Sequence, residues 1–521
     1  MMDGKEKGSR NLPVDERMST LLNNVNAVQA VSRAVEGTIG PKGLDTMLVD
    51  EDGNVIITND GITILDEMEV SHPAASMIIN IARSQQQEVG DGTTTATILA
   101  AALVVEGAHQ VQRGVPVTRV IEGIRGGVAE AINELKQMAY PVEDLKDERL
   151  YHIAYIAGRE NEDIARLVIN GAQVVGLEKI KEPDFHLRDL ISAREGAENE
   201  LFQGVLINRI PISREMPYTL KDAKVLIIQD ALAPEEIDDE ALGTETGFQQ
   251  FLALKEAYSQ NLMKLKELGV GFIALAKSCD GLAEEYCVDH GIMVLQHVPL
   301  QDLQRLGEHT GSRLLKRFSL SKEVEDLKHS LGYAGLIETD EQTRQVKILQ
   351  GKGKPVATML VGAATKEVAG ERERIAKDAA SAVQATLKGG YHSGGGATEL
   401  YLSRHLEEWK KQVKGMGVFG VEAVSTALQK PFFQMVSNAG FNPIEKIELV
   451  KEKQSNVGSS IGLDFDTGEC KDMLEIGVVD PALVKIHGIK IAGEVSEAIL
   501  RIHTVLRRKE GRKWLKKNKR K

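Results

Sequence analysis

The segment TTTATILAAALVV, which opens at Thr93, is apolar on almost every side of a helix. A helix with one apolar stripe can lie on a surface, but one without a polar face has to be enclosed. This segment therefore belongs in the centre of a domain. Upstream, Leu21, Val25, Val28, Val31 and Val35 recur every three or four positions and predict an amphipathic helix that stops at the glycine-rich turn Gly37 to Gly43. Thr46 to Val49 and Asn54 to Thr58 read as a hairpin across Asp50-Glu51-Asp52-Gly53, and a further helix is expected from about Pro73 to Gln87.

The middle of the chain changes character. Short strand-like runs at Gly204 to Ile207, Val225 to Ile228, Gly271 to Leu275 and Ile292 to Leu295 alternate with helical stretches, the pattern of an α/β domain. Beyond Gly370 long helical stretches return. Helical ends around an α/β middle suggest an insertion, with the two ends folding together. At 521 residues the chain exceeds one hydrophobic core, and roughly two to four domains are expected. Its formal charge of −12 opposes a role for the body of the protein in binding nucleic acid or anionic membrane. The basic tail from Arg507 to Lys521 reads first as a solvated terminus. Three cysteines favour a reducing compartment. With no signal-peptide core and no uncharged run of about eighteen apolar residues, the expectation is a cytoplasmic protein without a membrane span.

Three separated loops have the make-up of a nucleotide triphosphate site. In Thr38-Ile39-Gly40-Pro41-Lys42-Gly43 the glycines permit close backbone approach, and proline stiffens a turn whose amides can face phosphate oxygens. Gly90-Asp91-Gly92-Thr93-Thr94-Thr95 delivers hydroxyls and amides at the positive end of the buried helix, with Asp91 placed to hold Mg²⁺. Thr58-Asn59-Asp60-Gly61-Ile62-Thr63 sets a carboxylate on a turn after a strand, where Asp60 would bind metal or steer water. Each loop alone reads equally well as a capped helix or a polar turn. Together they are harder to explain that way, and the absence of GxxxxGK[ST] disfavours a P-loop ATPase.

The segments TIGPKG, TNDGITIL and GDGTTTAT, followed by LGYAGLIE, GERERIAKDA, SGGGATEL, GVEAVSTALQKPFFQMVSNAGF and MLEIGVVDP, resemble the chaperonins from about residue 18 to about 505. The resemblance implies a multi-domain α and α/β chaperonin fold. A mainly helical equatorial domain (1–136 and 389–521) would bind ATP, a small intermediate domain (137–195 and 355–388) would act as hinge, and an apical α/β domain (196–354) would bind clients. It implies that Thr38, Gly40, Pro41, Gly61 and Gly92 line the nucleotide, that Asp91 binds Mg²⁺, and that Thr93, Thr94 and Thr95 hold phosphates. Asp60 would lie near the γ-phosphate, and Asp378 would orient or deprotonate the attacking water. Gly395 and Gly396 would pass near the nucleoside, and Asp480 would accept hydrogen bonds from the ribose. ATP and Mg²⁺ are the implied cofactors, with K⁺ a further candidate.

Leu242 to Leu268 reads as a helical insertion whose stripe of Phe248, Phe251, Leu252, Leu254, Tyr258, Leu262 and Leu265 is too long for a tight loop. It resembles the lid protrusion of group II chaperonins, the archaeal thermosome and the eukaryotic cytosolic chaperonin. The implied partners are non-native protein clients and copies of the chain itself in a double ring of roughly eight subunits per ring, with no separate lid co-chaperonin. Two departures stand out. Where thermosome-like chains usually carry a lysine that senses the γ-phosphate, this chain has Arg159, a planar fork in place of a compact ammonium. Leu360 to Thr365 lacks the usual arginine-glycine-glycine form, and both departures suggest a divergent branch such as the group II-like chaperonins of bacteria.

Client contact is expected on the helix from Leu300 through Leu303, Arg305, Leu306 and Glu308, with Leu303 and Leu306 as core the equal alternative. Cys279, Cys287 and His290 lack metal-ligand spacing. The glycines at 389–390 and 394–396 are read as following a helix, against a dinucleotide fold. The rival readings are a chaperonin-like scaffold without productive ATP turnover and a metabolic kinase.

Overall fold

The computed structural model describes residues 14–49, 55–234 and 245–505. The Asp50-to-Gly53 turn, the start of the 242–268 insertion and the basic tail lie outside the described residues. The chain divides into two compact units, Met1–Glu160 with Asp378–Lys521, and Asn161–Lys377.

The first unit is built around the helix Thr93–Gln112, whose residues Ala96, Ile98, Leu99, Ala100, Leu103, Val104 and Ala108 are all buried. It is enclosed by the helices Val14–Glu36, Pro73–Glu88, Gly417–Leu428 and Ala482–Leu500. Apolar periodicity on the enclosing helices supplies the matching faces: Leu21, Val25, Val28, Val31 and Val35 from the first, Ile78, Ile79, Ile81 and Ala82 from the second. The helix Val117–Met138 packs tightly against Gly417–Leu428. A methyl on Gly123 would sit 1.9 Å from the Gly417 carbonyl oxygen, so the glycines of both helices permit backbone contact. The strands Thr46–Val49 and Val55–Thr58 pair antiparallel.

The second unit contains a nine-stranded mixed sheet. Its order runs Ile191–Glu195, Ala357–Ala363, Glu200–Ile207, Gln345–Gly351, Gly332–Asp340, Thr219–Ile228, Val270–Leu275 and Met293–Leu295, with Leu314–Leu315 pairing beside Thr219–Ile228. Strand alternation divides the core into two layers. Val225 and Ile227 face a layer with Leu303 and Leu306, while Leu226 and Ile228 face a layer with Tyr258, Leu262 and Leu265. The four central strands expected from the sequence are present, and three of them begin one to six residues earlier than their apolar runs.

The helix Glu245–Leu268 is two-natured. Tyr258, Leu262, Leu265 and Leu268 are buried against the sheet, and the Tyr258 hydroxyl donates to Asp280 Oδ1 at 2.8 Å. Towards its start, Leu252 is exposed and Phe251 and Leu254 are half-buried. Lys264 Nζ fastens the buried half by donating to the carbonyls of Leu320, Ser321 and Lys322 at 3.0–3.3 Å.

One open alternative is decided and one expectation is corrected. Leu303 and Leu306 of the helix Leu300–Thr310 have no exposed surface and are core, while Leu300 and Glu308 of the same stripe are exposed. Gly394–Gly396 do not follow a helix directly: a short strand, Tyr391–Ser393, intervenes before the helix Ala397–Trp409. That strand pairs antiparallel with Val479–Pro481, which is not the parallel βαβ context of a dinucleotide fold. Among the described residues no helix is long and apolar enough to cross a membrane, and no group of three or more His, Cys, Asp or Glu side chains is placed to hold a metal.

Candidate functional site

All the site residues expected from the sequence fall in the first unit. The turn from Gly90 to Gly92 leads into the central helix, with Gly92 in the left-handed region at φ 75° and no side-chain cap on the helix start. The first amides of such a helix have no partner within it, and Thr93, Thr94 and Thr95 are its first three residues. Asp91 Oδ1 accepts the Gly92 amide at 2.6 Å. Burial pushes the Asp91 carboxyl up to about 6; the Gly92 hydrogen bond and Lys485 oppose this, and the charges of Asp480 and Asp60 add to it. Asp91 thus lies within electrostatic reach of Asp60, Asp480 and Lys485.

Asp60 caps the helix Gly61–Glu67, with Oδ2 accepting the Thr63 amide at 3.1 Å and the Thr63 hydroxyl at 2.6 Å. Gly61 touches the threonine turn so closely that a methyl there would lie 2.3 Å from Thr94 Oγ1. Buried Asn59 Oδ1, in the same loop, has no hydrogen-bond partner in the structure.

The Thr38–Gly43 turn is closed by the Gly43 amide donating to Gly40 O at 3.0 Å, and Asn438 Nδ2 fastens it through Ile39 O at 2.9 Å. Gly40 and Pro41 are exposed. Met435 joins this turn to the Gly394–Gly396 turn: methyls on Gly40 and Gly396 would lie 2.7 Å and 2.8 Å from its side chain. Gly394 abuts Asp480 from the paired strand, with Asp480 Oδ1 at 3.1 Å from where a methyl would stand.

Asp378 reaches the site through a neighbouring helix. Gln86 Nε2 donates to Asp378 Oδ1 at 3.4 Å, while adjacent Gln85 holds the Asp91 carbonyl oxygen at 2.9 Å. Arg159 follows the helix Glu148–Ala157 in a left-handed turn with Glu160. Glu160 lies near enough to Lys42 to help raise its pKa, after Asp466, its ion-pair partner. The structure thus brings Asp60–Gly61 against the Asp91–Thr95 turn, and Gly394–Gly396 against Asp480, by direct contact, and the charge of Asp480 acts on Asp91. Thr38–Pro41 joins the glycine turn through Met435, and Asp378 joins through Gln86; Arg159 is placed only in the turn with Glu160 after the helix Glu148–Ala157.

This arrangement runs almost the length of a known family, for the TCP-1/cpn60 chaperonin family model matches residues 31–510. The chain is a chaperonin. It is 33% identical over 514 residues to a thermosome subunit from Pyrococcus horikoshii, covering 94% of this chain and 92% of the relative. A thermosome subunit from Methanocaldococcus jannaschii is 32% identical over 503 residues, covering 93% and 91%. A crystal structure of a group III chaperonin in the open state superposes with a TM-score of 0.83 at 44% identity, covering 95% of this chain and all of that one.

Sequence reasoning about this chaperonin missed a buried layer beneath the site. Lys485 Nζ lies 2.6 Å from Glu399 Oε1 and 2.7 Å from Asp480 Oδ2. Burial works against its charge, yet Asp480 and Glu399 together hold its pKa above the ordinary lysine value. Gln85 Nε2 also donates to the Val484 carbonyl at 3.1 Å, and its Oε1 meets His487 Nδ1 at 2.7 Å. The His392 ring is fully buried, and burial first, then the Lys485 charge, drives it down to about 3. It is neutral and does not compete with Lys485 for the two carboxylates. One signal was available: Lys485 is a cation in the otherwise apolar turn ALVKI.

Proposed function

We propose that this chaperonin binds and hydrolyses ATP with Mg²⁺ to drive the folding of non-native proteins inside a double ring closed by its own protrusions. The observation that carries the reading is the close packing of the Asp60–Gly61 turn on Thr94, in the Asp91-to-Thr95 turn that opens a buried helix with no side-chain cap. The residues suit both groups. The Asp91 carboxyl is raised first by burial and then by the charges of Asp480 and Asp60, a setting that a bound cation would relieve, and buried Asn59 Oδ1 lacks a partner. Gly40, Gly61, Gly92 and Gly396 leave no space for a methyl, so the backbone itself forms the walls.

In this reading Asp91 holds Mg²⁺, with K⁺ a further candidate ion. Thr93, Thr94, Thr95 and the Gly92 turn take the phosphates, and Thr38, Gly40, Pro41 and Gly61 line the nucleotide. Arg159 stands where related chains carry a phosphate-sensing lysine. Gly395, Gly396 and Asp480 hold the nucleoside. Bound Mg²⁺ supplies neutralisation of phosphate charge. Asp60 and Asp378 position and deprotonate the attacking water, with Gln86 orienting Asp378 through its 3.4 Å hydrogen bond.

The three-domain division at 1–136 with 389–521, 137–195 with 355–388, and 196–354 belongs to the same reading. The limits of the two compact units, at Glu160/Asn161 and Lys377/Asp378, cut through both segments assigned to the hinge. The exposed start of the helix Glu245–Leu268 is the base of the lid protrusion, so no separate lid co-chaperonin is needed. A cytoplasmic location and about eight subunits per ring complete the proposal.

Steady-state phosphate release by the purified protein tests it beside Asp378→Ala. The expected loss is about 10²–10⁴-fold, the usual contribution of a positioned acid–base group. Equal rates would remove Asp378 from the mechanism, and no release by wild type would end the reading. Negative-stain images with and without ATP are expected to show closed and open rings.

A further inference from the structure

Asp480 cannot recognise anything unless its carboxylate is held in one direction. It sits on the three-residue strand Val479–Pro481, and its own side chain is about one-third exposed (34%), so the strand pairing fixes the backbone but leaves the carboxylate free to turn unless it is held. Its two oxygens have different surroundings. Oδ2 takes the Lys485 ammonium at 2.7 Å, and Oδ1 faces the glycine turn, 3.1 Å from where a Gly394 methyl would stand.

Lys485 is itself confined. Its side chain is 7% exposed, and its ammonium is shared with Glu399 Oε1 at 2.6 Å, where Glu399 is 8% exposed. Glu399 lies in the first turn of the helix Ala397–Trp409, directly behind Gly395 and Gly396. One buried cation therefore ties the Asp480 strand to the helix that follows the glycine turn. A buried lysine is tolerated only when it is paired and hydrogen-bonded, and this one is paired on both sides. Glu399 Oε2 is buried with no partner in the structure, so Lys485 is the ion-pair contact of that carboxylate.

We propose that Lys485, anchored by Glu399, is a positioning residue that aims Asp480 at the ribose hydroxyls and so sets the preference for ribonucleotides over deoxyribonucleotides. This rests on the nucleotide reading above. Lys485 is buried behind Asp480 and acts through it. A carboxylate freed from Lys485 would turn into solvent or towards the helix. Recognition of the ribose would then be lost even with the phosphate loops intact.

The test uses the full-length assembled protein and equilibrium binding of ATP, 2′-deoxy-ATP and 3′-deoxy-ATP. Wild type is expected to favour ATP over at least one deoxy analogue by roughly tenfold or more, the worth of a hydrogen bond to a charged acceptor. Lys485→Met and Asp480→Ala are each expected to bring that preference to within about twofold. A lysine that served stability alone would weaken all three ligands together and leave the ratio intact, so an unchanged ratio in Lys485→Met overturns the inference. Lys485→Met strands two carboxylates. The double variant Lys485→Met with Glu399→Leu removes one of them and must lose the preference as well; retention there overturns the inference equally. If wild type binds ATP and both analogues alike, the inference falls while the phosphate site stands. If wild type binds none of the three, the nucleotide reading itself has failed.

Discussion

Replacing Gly92 with alanine separates two effects that usually come mixed. Gly92 has φ 75°, and an added methyl would lie 2.6 Å from Val484 Cγ1. Gly114, in the turn beyond the far end of the same helix, has φ 95° with nothing within 4 Å of an added methyl. Both variants bear the left-handed backbone penalty of about 1–2 kcal/mol for a residue with a Cβ. Only Gly92→Ala adds overpacking, roughly another 1–3 kcal/mol. The expected destabilisation is therefore about 2–5 kcal/mol for Gly92→Ala and about 1–2 for Gly114→Ala. The displaced residue matters for binding. Val484 precedes Lys485, and its carbonyl anchors the Gln85 side chain that also holds the Asp91 loop. Pushing Val484 away should lower MgATP affinity about tenfold or more in Gly92→Ala, with no change in Gly114→Ala, since a shift of about 1 Å in a positioned group has effects of that order. The assays are the thermal midpoint of the assembled protein at fixed concentration and scan rate, and equilibrium MgATP binding. Equal stability losses in the two variants, or unchanged MgATP affinity in Gly92→Ala, would refute the close-packing argument.

Asp91 gives a pH-dependent prediction. Its carboxyl is raised to about 6, chiefly by burial, and the sign follows: well below the unfolded value of 3.8 it is neutral folded or unfolded, the penalty grows as pH rises from there to about 6, and above about 6 the folded state carries it in full. Asp91→Asn should therefore make the nucleotide-free protein more stable at pH 7.5, by roughly 1–3 kcal/mol, with a smaller gain at pH 5. It should abolish the Mg²⁺ dependence of nucleotide binding. Thermal midpoints at the two pH values and binding with and without Mg²⁺ check both statements; a loss of stability at pH 7.5 would contradict the first. In the second unit, Leu262→Ala should destabilise by about 2–5 kcal/mol, because Leu262 is 1% exposed. Leu252→Ala, on the exposed start of the same helix, should stay within about 0.5 kcal/mol. Limited proteolysis distinguishes them, and equal sensitivity would mean that the two halves of the helix are equally packed.

The parts of the site that could be read from the sequence are those built within a few residues. Asp60 caps its own helix, and Gly90 to Thr95 form a turn and helix start in one stretch, so the local pattern carried the local structure. The enclosure of the helix Thr93–Gln112 followed from its lack of a polar face. Other features were illegible for a physical reason. The helix Leu300–Thr310 shows a mixed stripe whichever way it turns, and only packing against Val225 and Ile227 decided that Leu303 and Leu306 are core. The strand Tyr391–Ser393 exists because Val479–Pro481 lies beside it, nearly ninety residues on.

By itself the sequence determined that the segments flanking the middle are mainly helical, that the middle is α/β, and which glycine- and threonine-rich loops are candidates for phosphate binding. Hydrophobic period, glycine turns and carboxylates leave their mark within a few neighbouring positions. The tertiary structure alone decided that Met435 would join two glycine turns, that Gln85 would brace the Asp91 loop, and that Lys485 would bridge Glu399 and Asp480. These are contacts between segments distant in the chain, and a side chain's buried partner is fixed by how the helices pack, which no local pattern records.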